Sequence, residues 1–98
     1  MANICWNEFY ACSEDPKNME HISKFINENF NGDVWESGED TVEASFESRW
    51  EFPENLMKEM FEDMPNKDDI YMRCLSVEYG CLYHALWVCE DKEGWEEV

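Results

Sequence analysis

Residues 41–50, TVEASFESRW, alternate strictly, and the residues that follow do not. Val42, Ala44, Phe46, Ser48 and Trp50 fall on one side, and Glu43, Ser45, Glu47 and Arg49 on the other. A period of two is the mark of a half-buried strand. Pro53 ends it, because proline has no amide hydrogen for a ladder yet suits the first turn of a helix. Leu56, Met57, Met60, Phe61 and Met64 then repeat at helical spacing as far as Pro65. FESRWEFP is therefore a strand-to-helix corner. Trp50 is expected beneath the incoming helix, with Arg49 beside Glu47 and Glu51 on the outer side.

The rest of the chain reads in the same terms. Residues 3–12, NICWNEFYAC, are apolar on both parities, as in a central strand. Ser13 or Asp15 caps a helix that starts near Pro16. Its stripe is Met19, Ile22, Phe25, Ile26 and Phe30, and Asn31-Gly32 ends it. Val34-Trp35 predicts a short edge strand before a turn at Ser37-Gly38. Residues 70–79 and 81–89 are two strands reversed at Gly80. The tail, about 90–98, is acidic and expected to fray, with Trp95 able to dock. Strands and helices interleave. The order predicts one α+β domain over residues 1–98. Its architecture is a ferredoxin-like sandwich: an antiparallel sheet, two helices on one face and a C-terminal β-hairpin extension. A different α+β packing of the same elements is the alternative.

Two segments bear a family resemblance. MANICWN resembles the MANWCxN opening of the YubB-like group, small ferredoxin-fold proteins carried by plasmids, phages and bacterial mobile elements. TVEASFESRWEFPENLMKEMFEDMP resembles that group's alternating strand, W-x-x-P corner (here Trp50 and Pro53), short helix and closing proline. Ile4 stands where the family opening carries tryptophan, and CLYHALWVC replaces a glycine-rich stretch. The resemblance implies a mobile-element setting and no assigned activity.

Charge bounds the partners. The 98 residues carry 24 Asp and Glu against seven Lys and Arg, a formal −17. Over a folded surface of about 5,900 Å², that is one net negative charge per roughly 350 Å². Such a surface argues against direct binding to nucleic acid or anionic lipid and suits a basic protein partner. It also keeps a protein soluble without further purpose. Neither a secretory leader nor a membrane span is read from the chain, so a cytoplasmic setting, in the bacterial host cell, is expected. Its five cysteines are odd in number and form no CxxC pair, which fits reduced, core thiols.

Candidate chemistry is sparse. Cys74, Cys81, His84 and Cys89 have the residue types of a zinc site, but not its close pairs, and alternation puts His84 and Cys89 on opposite faces. A cysteine paired with His84, oriented by Glu78, is the minor enzymatic alternative. Paired acids lack a calcium-loop pattern. Trp6, Tyr10, Tyr71, Tyr79, Tyr83 and Trp87 are expected to gather on the uncovered sheet face. Without basic residues beside them, a protein interface is a better use than base stacking. No catalytic residue, metal or cofactor is expected. The leading expectation is a non-enzymatic inhibitor that occludes a basic nucleic-acid-binding groove of a host defence protein, of anti-CRISPR type, by imitating a polyanion. Its contact residues would be Glu43, Glu47, Glu51, Glu54, Glu59, Glu62 and Asp63, with Trp6, Tyr10 and Trp87. A homodimeric structural or accessory domain with a merely solubilising surface is the alternative.

Overall fold

A computed structural model describes residues 4–30, 32–37, 40–49, 51–78, 80 and 83–98, with the backbone alone for 32–37. Trp50, Tyr79 and Cys81 lie outside the described residues. The fold is α+β. Strands β1 (Ile4–Cys12), β2 (Gly32–Ser37), β3 (Thr41–Arg49), β4 (Tyr71–Glu78), β5 (Tyr83–Glu90) and β6 (Trp95–Glu97) alternate with helices α1 (Pro16–Asn29) and α2 (Glu54–Glu62). Among the described residues the strands form one sheet in the order β2-β3-β1-β4-β5-β6, and every neighbouring pair is antiparallel.

Alternation sets the two faces. Cys5, Asn7, Phe9 and Ala11 of β1 are buried, and so are Val42, Ala44 and Phe46 of β3 and Met72, Cys74 and Ser76 of β4. One apolar cluster joins these strands to Met19, Ile22 and Ile26 of α1 and to Met57, Met60 and Phe61 of α2. Burial of such side chains, at about 25 cal/mol per Å² of apolar surface, is what drives the assembly.

The ends of the elements explain several departures from expectation. Asp15 caps α1 by accepting the Lys17 amide at 2.9 Å, and Pro16 fills the first turn. Ser13 does something else: it is buried, and its hydroxyl donates to the Asp69 carbonyl at 2.6 Å. The helix stops at Asn29, earlier than Asn31-Gly32, and Gly32 instead opens β2. Phe30 has left the helix with extended backbone, yet its ring stacks on Phe46 at 4.2 Å. Pro53 stands one residue before α2, and α2 ends at Glu62, ahead of Met64 and Pro65.

The tail is ordered structure rather than a frayed end. After β5 the chain reverses through a 3-10 turn, Asp91–Glu93, with Asp91 at φ 47° and Gly94 at φ 80°. Asp91 holds this left-handed geometry through Ile70: its amide donates to the Ile70 carbonyl, and its carboxylate accepts the Ile70 amide. β6 then pairs with β5. Trp95 is buried against Phe9 and Phe52, and its indole N–H donates to the Met57 carbonyl at 3.0 Å.

Two buried asparagines tie distant segments together. Asn7 donates to the Ser48 hydroxyl and the Phe46 carbonyl, and its own oxygen accepts from Ser76 at 2.6 Å. Asn18 donates to the Asn66 and Asp69 carbonyls and to Ser13, and accepts the Asn66 amide. Each meets its own hydrogen-bonding need, as a buried amide must.

Candidate functional site

The second parity of the strands forms an open face. Ile4 and Trp6 of β1, Leu75 of β4 and Leu86 of β5 are 47%, 44%, 43% and 37% exposed. Register joins them. Trp6 lies between Glu47 and Val77, and Leu75 lies between Glu8 and Leu86. An apolar strip therefore runs Ile4, Trp6, Val77, Leu75, Leu86 across three strands. Leu75 and Leu86 carry no aromatic signal, so the sequence reading missed them; their period-two placement beside Arg73 and His84 was the available clue.

Carboxylates border the strip. Glu8, Glu43, Glu47 and Glu90 share the face, and Glu96 continues it on β6. Ser45 donates to the Glu8 carboxylate at 2.8 Å. Arg73 spreads its guanidinium 4.4 Å above the Tyr10 ring, and Tyr71 meets that ring edge-on at 6.3 Å. Glu8, Tyr10, Glu43, Arg73, Leu75 and Leu86 line a shallow hollow of about 370 Å³.

Trp6, Tyr10 and Tyr71 thus gather as expected, whereas Trp87 does not. Its position opposite Cys74 turns it to the buried face, where it stacks on Phe52 at 4.5 Å with the planes 8° apart. Tyr83 has the same parity, and its hydroxyl oxygen accepts the Phe52 amide.

The seven expected carboxylates divide into three groups instead of one continuous strip. Glu43 sits in the hollow of the open face. Glu47, Glu51 and Glu54 surround a second cavity at the strand-to-helix corner. Glu59 and Glu62 are exposed on the last turns of α2, whose apolar side enters the core, and exposed Asp63 caps its end. Two of these acids face lysines: Glu54 pairs with Lys58, and Glu62 lies 3.9 Å from Lys67.

Cys74 and Cys89 lie on the opposite face of the sheet from His84. Cys74 and Cys89 are fully buried, and burial pushes both thiols up to about 12. Burial raises Cys5 as well. Neutral thiols are poor nucleophiles and poor metal ligands. His84 is exposed on the open face opposite Val77, while Glu78 is buried on the other side of β4. Glu78 therefore does not orient His84. Among the described residues no group of three or more His, Cys, Asp or Glu is arranged to hold a metal ion. Nor, among them, is any helix long and apolar enough to cross a membrane.

No family model, curated protein or solved structure matches the chain.

Proposed function

We propose that this is a non-enzymatic binding protein that docks a basic protein partner on its open sheet face. The observation that carries the reading is the apolar strip of Ile4, Trp6, Leu75 and Leu86 bordered on its β3 side by the carboxylates of Glu8, Glu43 and Glu47. Isolated exposed apolar residues need no explanation, but a contiguous strip with an aromatic centre and a charged border has the make-up of an interface. The net charge of −17 selects the partner's sign. In the mobile-element setting implied by the YubB-like resemblance, the partner is a host protein with a basic nucleic-acid-binding groove. A defence effector of CRISPR type in the host cytoplasm fits that description. Glu8, Glu43 and Glu47 stand in for phosphates, and binding occludes the groove without chemistry. The architecture proposed with this reading is a ferredoxin-like sandwich with both helices on one face. The order β2-β3-β1-β4 and the single cluster shared by α1 and α2 support it.

A homodimer through the same face is the second reading, favoured by the apolar strip and opposed by bringing −17 against −17. One experiment separates them. Tagged protein is incubated with a bacterial lysate at about 0.1 M and about 1 M salt, where screening lengths are about 10 Å and 3 Å. Sedimentation of the purified protein runs in parallel. Expected are a monomer and a basic captured protein that is lost in high salt and lost with Trp6→Ser/Leu86→Ser. A dimer dissolved by that variant establishes the second reading. Capture indifferent to both salt and variant overturns the first.

A further inference from the structure

Among the described residues, the five most exposed large apolar side chains are Ile4, Trp6, Leu75, Leu86 and Val98. None belongs to α1 or α2. The first four form the strip on the open face, joined through Val77. The fifth extends it: the Val98 amide donates to the Leu86 carbonyl at 2.8 Å, which sets Val98 beside Leu86 on the far side of β5.

Register gives the strip its dimensions. It runs from the row of Ile4 to the row shared by Glu8, Leu75 and Leu86, and it crosses from β1 through β4 to β5. At about 3.3 Å per residue and about 4.8 Å per strand spacing, the diagonal from Ile4 to Leu86 is about 16 Å. The width is that of two neighbouring strands with their side chains, about 10 Å. On the β3 side Glu47 flanks Trp6, Glu8 flanks Leu75, and Glu43 stands one row further on. The row of Tyr10 and Arg73 cuts the strip off below Leu75.

The backbone limits what can lie there. β1 and β4 are paired on both sides, so the middle of the sheet offers no main-chain donor or acceptor. An extended peptide laid across it would lose water from its amides and carbonyls without replacement. A second sheet needs a broader apolar face than this one. A second copy of the chain would also bring another −17. A helix satisfies its own backbone, is about 10–12 Å across, and covers about 16 Å in eleven residues.

We propose that the element seated on the strip is a basic amphipathic helix of the partner, about three turns long. This rests on the binding reading above and names what docks. Apolar anchors at i, i+4, i+7 and i+11 follow the strip, and lysines or arginines on one flank meet Glu47, Glu8 and Glu43. The hollow of about 370 Å³ beside Leu75 and Leu86 takes an apolar anchor rather than a cation, because Arg73 lies over Tyr10 at its edge.

The test uses the folded protein and a model peptide. An acetylated, amidated peptide of lysine and leucine, about 15 residues long so that a helix can hold, carries leucine at i, i+4, i+7 and i+11. A control of the same composition carries its leucines in alternation. Both are titrated at about 0.15 M ionic strength, and amide shifts are followed by NMR. The helical pattern is expected to give saturable shifts at Trp6, Glu8, Leu75, Val77 and Leu86. The alternating peptide should bind about tenfold more weakly, the scale of one leucine left unseated. Trp6→Ser/Leu86→Ser should cost about tenfold as well. Glu8→Gln/Glu47→Gln should cost about fivefold, while Glu59→Gln/Glu62→Gln, which removes the same charge from α2, should cost less than about twofold. Equal binding of the two peptides, shifts scattered over the acidic surface, or an equal loss in the two glutamine variants overturns the proposal. None of these outcomes touches the open-face reading, which fails when Trp6→Ser/Leu86→Ser retains capture.

Discussion

The same strands present two faces of opposite character. On the buried face apolar side chains share one cluster with residues of α1 and α2, and the two asparagines near it are fully bonded. On the open face an apolar strip of similar residue types meets no helix and is hemmed by acids. Burial stabilises the first set against the entropy of ordering the chain; the second set is exposed and contributes little to folding. A residue type is therefore a poor guide to its role here. Phe46 and Trp6 are both large and apolar, but Phe46 holds the fold and Trp6 is free to serve another molecule.

This contrast is open to attack at several points. Phe46 is fully buried, stacked on Phe30 and in contact with Phe9. Phe46→Ala should cost about 3–5 kcal/mol in urea unfolding. A comparable cost for Trp6→Ala would abolish the distinction between the faces. Asn18→Ala leaves the Asn66 amide unmatched and takes one of two donors from each of the Asn66 and Asp69 carbonyls, and should cost about 1–3 kcal/mol by the same assay. A neutral effect would mean that the loop at 65–70 is not held by this residue.

The buried thiols make a pH prediction with a definite sign. Cys74 and Cys89 ionise near pH 9 when unfolded, and burial raises them to about 12 in the native state. Below pH 9 both states carry neutral thiols, and the native form loses nothing. As pH rises from 9 towards 12, the unfolded state alone releases protons, and stability falls. At pH 10 the loss is about 1.4 kcal/mol per thiol. Cys89→Ala should remove its own share of this loss, about 1.4 kcal/mol at pH 10, and a slope unchanged in that variant would contradict the cause. Smallest of all is the effect of Trp6→Ser/Leu86→Ser on stability, expected within about 0.5 kcal/mol. The sharpened contrast is that this near-silent change should eliminate partner capture.

Much of the architecture was legible in the chain, because alternation and helical spacing report burial directly. TVEASFESR gave its inward set correctly, and Pro53 marked the corner to within one residue. Other features lacked such a signal. CLYHALWVC is apolar on both parities, so nothing local told which way Trp87 would face; the register with Cys74 decides it. β6 has only three residues, too few for a period to show, and Gly94 before Trp95 was its single clue. Asn7 and Asn18 are polar residues on inward-facing positions, which a count of apolar spacings passes over. The acids were numerous enough to suggest one strip, but their grouping depends on which elements meet, and only tertiary structure supplies that.

The central claim is that the open face, and not the helical surface, is what a partner covers. Hydroxyl-radical footprinting of the free protein and of its captured complex tests this most directly. The expected result is strong protection of Trp6 and Leu86 in the complex, with Met57 and Met60 unreactive in both states because they are buried. Unchanged oxidation of Trp6 and Leu86, with protection appearing instead on the outer turns of α2 around Glu59 and Glu62, would contradict it.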